Sequence, residues 1–117
     1  MNNLDAAINK ASYDLANKID KKENEIEKAM GILANDGVYA FVVFCESKGI
    51  WNKFKESIKD LESFFPENLQ NFDKSKLESD KYSLSDLLFV KEIFGKMLTY
   101  TRYHLKAKGD NNGKKMV

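Results

Sequence analysis

The sequence contains very few of the residues that form covalent cross-links or interrupt helices. Its 117 residues include one cysteine, one histidine and one proline. A single cysteine excludes a disulfide within one chain, and Cys45 stands in the most apolar segment, so we expect a buried small side chain rather than a reactive thiol. The lone Pro66 leaves most helices uninterrupted. Because the chain can form no internal disulfide, a reducing, cytoplasmic location is expected.

Long hydrophobic runs are also missing. The first ten residues, MNNLDAAINK, lack an apolar core of signal-peptide length. No apolar run approaches the ~20 residues that a membrane span requires. We therefore expect a protein that is neither secreted nor membrane-spanning. The composition, 43% hydrophobic and 32% charged, supplies one core for a chain of single-domain length.

Motifs of catalysis and metal binding are scarce as well. The sequence has no glycine-rich phosphate loop, GxSxG or HExxH motif, and Cys45 and His104 have no companions at metal-ligand spacing. Helical ribonucleases of the HEPN type use an arginine and a histidine that are several residues apart. Arg102 and His104 are only two positions apart, so on a helix they point to different sides. Glu46 is expected to be a surface acid rather than a general base. We predict no catalytic residue, no cofactor and no metal.

Hydrophobic periodicity predicts an all-α, single-domain bundle of about five helices. Apolar residues at three-and-four spacing mark a first helix over 3–19 and a second helix that stops at Gly37. Gly37 and Gly49 stand where helix ends need a residue that tolerates positive φ, so two helices should meet at Gly37 with almost no linker. The third segment, 38–48, is rich in β-branched and aromatic residues, but no other segment alternates with period two to pair with it as a strand.

A fourth helix and a polar connector follow. Apolar residues at heptad spacing predict a helix over 50–65 that ends at Pro66. The connector, 66–82, is charged and is expected to be mobile. Its apolar residues Leu69, Phe72 and Tyr82 could anchor a short helical turn against the core.

The last helix is predicted to begin at a capping box and to end near Ala107. Ser83 or Ser85 offers an N-cap, and Asp86, three residues after Ser83, has the spacing at which the two side chains can each accept a hydrogen bond from the other residue's backbone N–H. Beyond the helix, GDNNGKKMV is rich in glycine and asparagine. We therefore predict one helical domain over 1–108 and a disordered tail over 109–117.

This last helix gives the best physical clue to function. Residues 83–117 carry seven basic residues against three acidic ones, although the net charge of the chain is only +1. At about 100° per residue, one arc is apolar; it holds Leu87, Val90, Phe94, Met97, Leu98, Thr101 and Leu105. Lys91, Lys96, Arg102 and Lys106 fall on the other side, which suits a phosphodiester backbone. The alternative is a solvated face whose cations complement the helix dipole.

Three short motifs stand in order along these helices. They are ILANDG at 32–37, AFVVFCESK at 40–48 and LLFVKEIFG at 87–95. With the order of the predicted elements, they resemble the small subunit of the type III-B CRISPR Cmr complex over nearly all of 5–108. The analogous small subunit of a related type III complex fits equally. Phe89-Val90 replaces the Trp expected in the final helix of that family.

The resemblance implies a non-catalytic subunit of an antiviral RNA-silencing effector. Such subunits stack in several copies beside the crRNA and its target RNA, while other subunits cut RNA or make signalling nucleotides. The implied partners are other CRISPR effector subunits, copies of the same chain, crRNA and target RNA, with no membrane and no small-molecule substrate. Lys48 matches a family motif directly, and the helical-face argument adds the others. The candidate nucleic-acid-binding residues are Lys48, Lys53, Lys91, Lys96, Arg102 and Lys106.

Two other functions fit the same sequence. A helical protein-protein adaptor would keep its partners after charge reversal of the basic helix and would not bind RNA. A small ribonuclease or antitoxin-like regulator would lose an activity in a His104→Ala variant, and this is the least favoured interpretation.

Overall fold

In a computed structural model of the chain, the described residues form six α-helices and two single turns of 3₁₀ helix, with no strand among them. The structure describes 3–19, 22–79 and 81–116, with side chains as far as residue 109. The helices are α1 (Asn3–Lys18), α2 (Glu23–Asp36), α3 (Val38–Ser47), α4 (Trp51–Lys59), α5 (Lys74–Glu78) and α6 (Leu84–Met116); the 3₁₀ turns are Glu62–Phe64 and Glu67–Leu69. The predicted all-α fold with a long C-terminal helix is confirmed.

Helix α6 is the element on which the bundle is assembled. It packs against α1 and α2, and α2 also packs against α3 while α1 packs against α4. The arc predicted to be apolar faces these neighbours, because Val90, Phe94, Met97, Leu98 and Thr101 are all completely buried. None of the described helices has the length and apolar character needed to cross a membrane.

Aromatic rings fill the centre of the core. Phe41 of α3, Phe54 of α4 and Phe94 of α6 are all fully buried. Their ring centroids lie 5.2, 5.6 and 5.0 Å apart for the pairs 41–54, 41–94 and 54–94. Tilted and edge-to-face contacts at these distances are favourable for aromatic quadrupoles. Trp51 and Phe72 extend the cluster at its edge.

The junction between α2 and α3 is a single residue, Gly37. Its φ of 96° lies in the region that glycine alone adopts without strain. The Gly37 N–H donates to the Ile32 carbonyl at 3.2 Å, and the Phe41 N–H donates to the Gly37 carbonyl at 3.1 Å, so the residue ends one helix and begins the next. Gly49 has a φ of 71° after α3. The predicted helix-glycine-helix arrangement is confirmed, and Val38–Ser47 is a helix rather than a strand.

Helix α4 is shorter than predicted. The α-helix ends at Lys59, and the Asp60 and Leu61 N–H groups donate to carbonyls three residues earlier. These tighter bonds lead into a 3₁₀ turn. Phe65 is extended, as expected before Pro66, which disfavours helical backbone at the preceding residue. The apolar stripe predicted for the segment is nevertheless buried, and Phe64 outside it is exposed; the stripe consists of Trp51, Phe54, Ile58, Leu61 and Phe65.

The connector 66–82 lies against the core through the three predicted anchors. Leu69, Phe72 and Tyr82 are buried. The Phe72 and Tyr82 rings stack with centroids 5.2 Å apart, and the Asp73 N–H donates to the Tyr82 hydroxyl at 3.3 Å. The connector also contains one 3₁₀ turn and α5, which the sequence predicted only as a short helical turn.

The start of α6 is capped as predicted. The Asp86 N–H donates to Ser83 Oγ at 3.1 Å, and the Ser83 N–H donates to Asp86 Oδ2 at 3.0 Å. Helix α6 continues past the predicted end near Ala107, because Gly109 lies within the helix and has no positive φ. The predicted tail, 109–117, includes residue 117, which is outside the described residues, and its disorder stays a prediction.

Candidate nucleic-acid interface

Lys91 and Arg102, two of the four predicted cations of α6, bind helix α2. The Lys91 ammonium donates to the Ala34 carbonyl at 3.2 Å, in the last turn of α2, where a cation also complements the helix dipole. The Arg102 Nε lies 2.8 Å from Glu27 Oε1 in a partly exposed ion pair. Both side chains therefore have partners within the chain.

Lys96 and Lys106 differ in their surroundings. The Lys96 ammonium lies 3.8 Å from an Asp5 carboxylate oxygen on α1 and 3.9 Å from Glu92. Lys106 is exposed and forms no ion pair with any residue that the structure describes. Among the predicted cations of α6, Lys106 is therefore the most available to an external phosphate.

Lys48 and Lys53 form a second group, at the junction of α3 and α4. Lys48 is exposed just after α3, and its ammonium lies 5.8 Å from the centre of the Phe44 ring. Lys53 is half-buried on α4. Neither forms an ion pair within the described ranges. The six candidates thus divide into two groups on different helices.

Two basic residues of α4 were not among the predicted site residues. Lys55 is half-buried and Lys59 is exposed, and both lie off the buried stripe of the helix, as Lys53 does. The signal was present in the sequence as three lysines at 53, 55 and 59. The prediction took only Lys53 of these three, and it drew most of its other cations from the excess of positive charge in 83–117.

Arg102 and His104 point to different helices, as predicted from their spacing. Arg102 contacts α2, whereas His104 Nε2 lies 2.9 Å from Asn9 Oδ1 of α1. The His104 ring also meets the Tyr13 ring edge-to-face at 5.3 Å. The two side chains therefore do not converge on a common point.

Cys45 and Glu46 have the surroundings that the sequence predicted. Cys45 is completely buried, and burial raises the pKa of its thiol to about 12. Glu46 is exposed and pairs with Lys74 at 2.8 Å. The hydrogen bond to Glu46 is the main cause of the raised pKa of Lys74. Among the described residues, no three His, Cys, Asp or Glu side chains are grouped as metal ligands would be.

An apolar groove of about 670 Å³ lies between α2 and α6. Met30 and Leu33 line it from α2, and Leu88 and Tyr100 line it from α6. Leu88 is 57% exposed, and Leu84, one turn earlier on α6, is 74% exposed. The sequence analysis missed this groove, although the four-residue spacing of the two leucines outside the buried arc was a signal of it.

No protein-family model, curated protein or solved structure matches the chain. The likeness to a CRISPR small subunit therefore rests on the sequence motifs, and it stays a hypothesis.

Proposed function

We propose that the chain is a non-catalytic small subunit of a type III CRISPR ribonucleoprotein effector. In this role it stacks in several copies and binds the phosphate backbone of crRNA or target RNA. Three sequence motifs support the proposal, together with an all-α fold that ends in a long helix. The observation that carries the RNA-binding part is that Lys48, Lys53 and Lys106 have no acidic partner within the described residues.

The surroundings of the six candidate residues rank them as phosphate ligands. A lysine without an ion pair in the chain can bind a phosphate, and so release the counterions of the RNA, without first breaking that pair. Lys48, Lys53 and Lys106 therefore rank first as phosphate ligands. Lys91 would have to exchange only a carbonyl acceptor. At Lys96 a phosphate would have to compete with the carboxylates of Asp5 and Glu92, and at Arg102 with the carboxylate of Glu27. We expect these last two to contribute least.

Recovery of the protein from its native cell tests the proposal. We expect tagged protein to co-purify with short repeat-derived RNAs and with large CRISPR subunits, detected by RNA sequencing and mass spectrometry. A variant carrying Lys48→Glu, Lys53→Glu and Lys106→Glu serves as the matched control and should recover less RNA. Recovery of neither the RNAs nor the subunits from wild-type protein would overturn the proposal.

One observation favours the second candidate function, a helical protein-protein adaptor without nucleic-acid binding. The surface of the groove between α2 and α6 is mostly apolar, although Lys91, Glu92 and Lys96 also line it, and the exposed Leu84 lies one turn before Leu88 on α6. From residue 84 to residue 100, α6 spans about 24 Å, which is the length of a helix of four to five turns. The occupant would be an amphipathic helix of a partner protein that places its apolar stripe in this groove.

The two functions respond differently to the same variants. An adaptor should keep its protein partners when Lys48, Lys53 and Lys106, which do not line the groove, are changed to Glu, and it should lose them when Leu88, which does line it, is changed to Asp. Its isolated form should not bind RNA. The RNA-binding subunit should instead lose RNA affinity on charge reversal of its exposed lysines, with a salt dependence that reports the number of phosphates bound.

A further inference from the structure

The outward face of α4 is the second cationic helix surface of the molecule. Trp51, Phe54, Ser57 and Ile58 turn into the core. The remaining side chains of the helix form what we call the α4 face; they are Asn52, Lys53, Lys55, Glu56 and Lys59. All five line one shallow concavity of about 320 Å³. Three lysines and one amide donor are therefore presented together.

The only acid on the α4 face is neutralised from another helix. Glu56 Oε2 lies 3.4 Å from the Lys18 ammonium at the end of α1. Lys53, Lys55 and Lys59 form no ion pair with any residue in the described part of the chain. Lys55 contributes to the lowered pKa of the Asp73 carboxyl, but the hydrogen bond from Ser75 is the larger cause. The positive charge of this face is therefore largely uncompensated.

Two further basic residues, Lys22 and Lys48, lie near the start of α4. The Lys22 ammonium donates to the Lys48 carbonyl at 3.3 Å, which brings the beginning of α2 next to the α3–α4 junction. Lys48 itself is exposed and precedes α4 by three residues. Lys22 and Lys48 therefore lie close to each other near the start of α4.

The basic side of α6 offers much less free charge. Arg102 is paired with Glu27, Lys96 lies between Asp5 and Glu92, and Lys91 is bound to a carbonyl. A polyanion that approaches α6 therefore meets two cations paired with carboxylates, Lys96 and Arg102, and one bound to a carbonyl, Lys91, whereas Lys106 has no ion pair among the described residues. Repulsion from those carboxylates weakens phosphate binding at the same positions.

We propose that the α4 face is the principal phosphate-binding surface, and that Lys53, Lys55, Lys59 and Asn52 contact the backbone of single-stranded RNA. Lysine ammonium groups bind phosphate oxygens as point charges, and asparagine amides donate hydrogen bonds to them, without regard to base sequence. Lys55, Lys59 and Asn52 are new assignments. The inference rests on the RNA binding proposed above, but not on membership of a CRISPR effector.

Fluorescence anisotropy with a short labelled single-stranded RNA tests this assignment on the full chain. The test variant carries Lys53→Glu, Lys55→Glu and Lys59→Glu. The matched control carries Lys91→Glu, Lys96→Glu and Lys106→Glu, which changes the net charge equally. We expect the α4 variant to bind RNA about tenfold or more weakly at low salt. The slope of its log affinity against log salt concentration should decrease in magnitude by about 2. The control should lose less.

Each other outcome contradicts a defined part of the argument. If the α6 control loses as much affinity as the α4 variant, the α4 assignment is wrong while RNA binding stands. If wild-type protein does not bind RNA at low salt, both the assignment and the proposed RNA binding fail. Displacement of RNA by polyglutamate at equal charge concentration would indicate an acidic protein partner and overturn the nucleic-acid assignment. A second variant, with Lys53→Gln, Lys55→Gln and Lys59→Gln, removes the three positive charges without adding negative ones. An unchanged circular dichroism spectrum of this variant shows that its loss of affinity does not come from unfolding.

Discussion

Arg102 and Lys106 stand four positions apart on α6, yet they differ in availability. The Arg102 guanidinium is held by Glu27, which lies 75 positions away in the sequence, whereas Lys106 extends into solvent. Exposed pairs of this kind contribute only about 0–1 kcal/mol to stability. In the proposed RNA-binding role, breaking such a pair would subtract a similar small amount from the free energy of binding, because the cation must exchange a carboxylate for a phosphate.

Cys45 gives the clearest prediction for a single residue. Because burial raises its pKa to about 12, roughly one thiol in ten thousand is ionised near pH 8. We expect iodoacetamide to leave the native protein unmodified over a time in which it fully alkylates the urea-unfolded chain. Mass spectrometry of the intact protein measures the modified fraction. Rapid, complete alkylation of the folded protein would show that the thiol is accessible.

At the residue scale, the sequence predicts burial better than it predicts partners. Periodicity placed Phe94 and Met97 in the interior, and the apolar character of its segment placed Cys45 there, because burial follows from patterns that are visible locally. The partners of Lys96 and Arg102 come from α1 and α2, so no local pattern could have identified them. Three of the four cations predicted on the outer side of α6 therefore have partners that only the structure reveals, and their role in binding stays a prediction.

Gly37 provides the sharpest test at the scale of a helical element. Its φ of 96° and ψ of −177° belong to a region that residues with a Cβ rarely adopt. We expect Gly37→Ala to destabilise the protein by about 1–3 kcal/mol. Gly31→Ala is the matched control, since Gly31 lies inside α2 with nothing within 4 Å of an added Cβ. That change should stabilise by about 0.5–1 kcal/mol.

Urea denaturation of both glycine variants measures the two changes in the free energy of unfolding. Opposite signs would confirm that α2 and α3 meet through a backbone conformation specific to glycine. A Gly37→Ala variant as stable as wild type would mean that the junction relaxes to another conformation.

Helix ends were harder to predict than helix identity. The capping box at Ser83 and Asp86 was recognisable because both of its hydrogen bonds join residues three positions apart. The end of α4 was misplaced because the apolar stripe continues to Phe65 while the backbone changes to 3₁₀ geometry after Lys59. Buried side chains can keep their spacing through such a change, so periodicity alone does not locate it.

The whole molecule depends on the aromatic cluster that joins α3, α4 and α6. Phe94 is fully buried and contacts Phe41, Phe54 and Phe72, so its removal should leave a cavity that three separate segments border. We expect Phe94→Ala to destabilise the protein by about 3–5 kcal/mol. Phe64→Ala is the control, because Phe64 is 41% exposed. The Phe64→Ala change should lower the free energy of unfolding by no more than about 1 kcal/mol.

Thermal unfolding followed by circular dichroism compares the two phenylalanine variants. A large fall in melting temperature for Phe94→Ala, with little change for Phe64→Ala, would confirm that one cooperative core includes the three helices. Equal effects would mean that the rings are not packed as described.

Trp51 lies between the core and the α4 face, and this position makes it an internal optical reporter. It is the single tryptophan of the chain, it is 6% exposed, and it stacks on Phe54 with ring centroids 6.0 Å apart. An indole in such an apolar setting emits at shorter wavelength than one in water, so the intrinsic fluorescence of the unlabelled protein follows unfolding. Because Trp51 begins the helix that carries Lys53, Lys55 and Lys59, the same signal can register ligand binding at the α4 face without an attached dye.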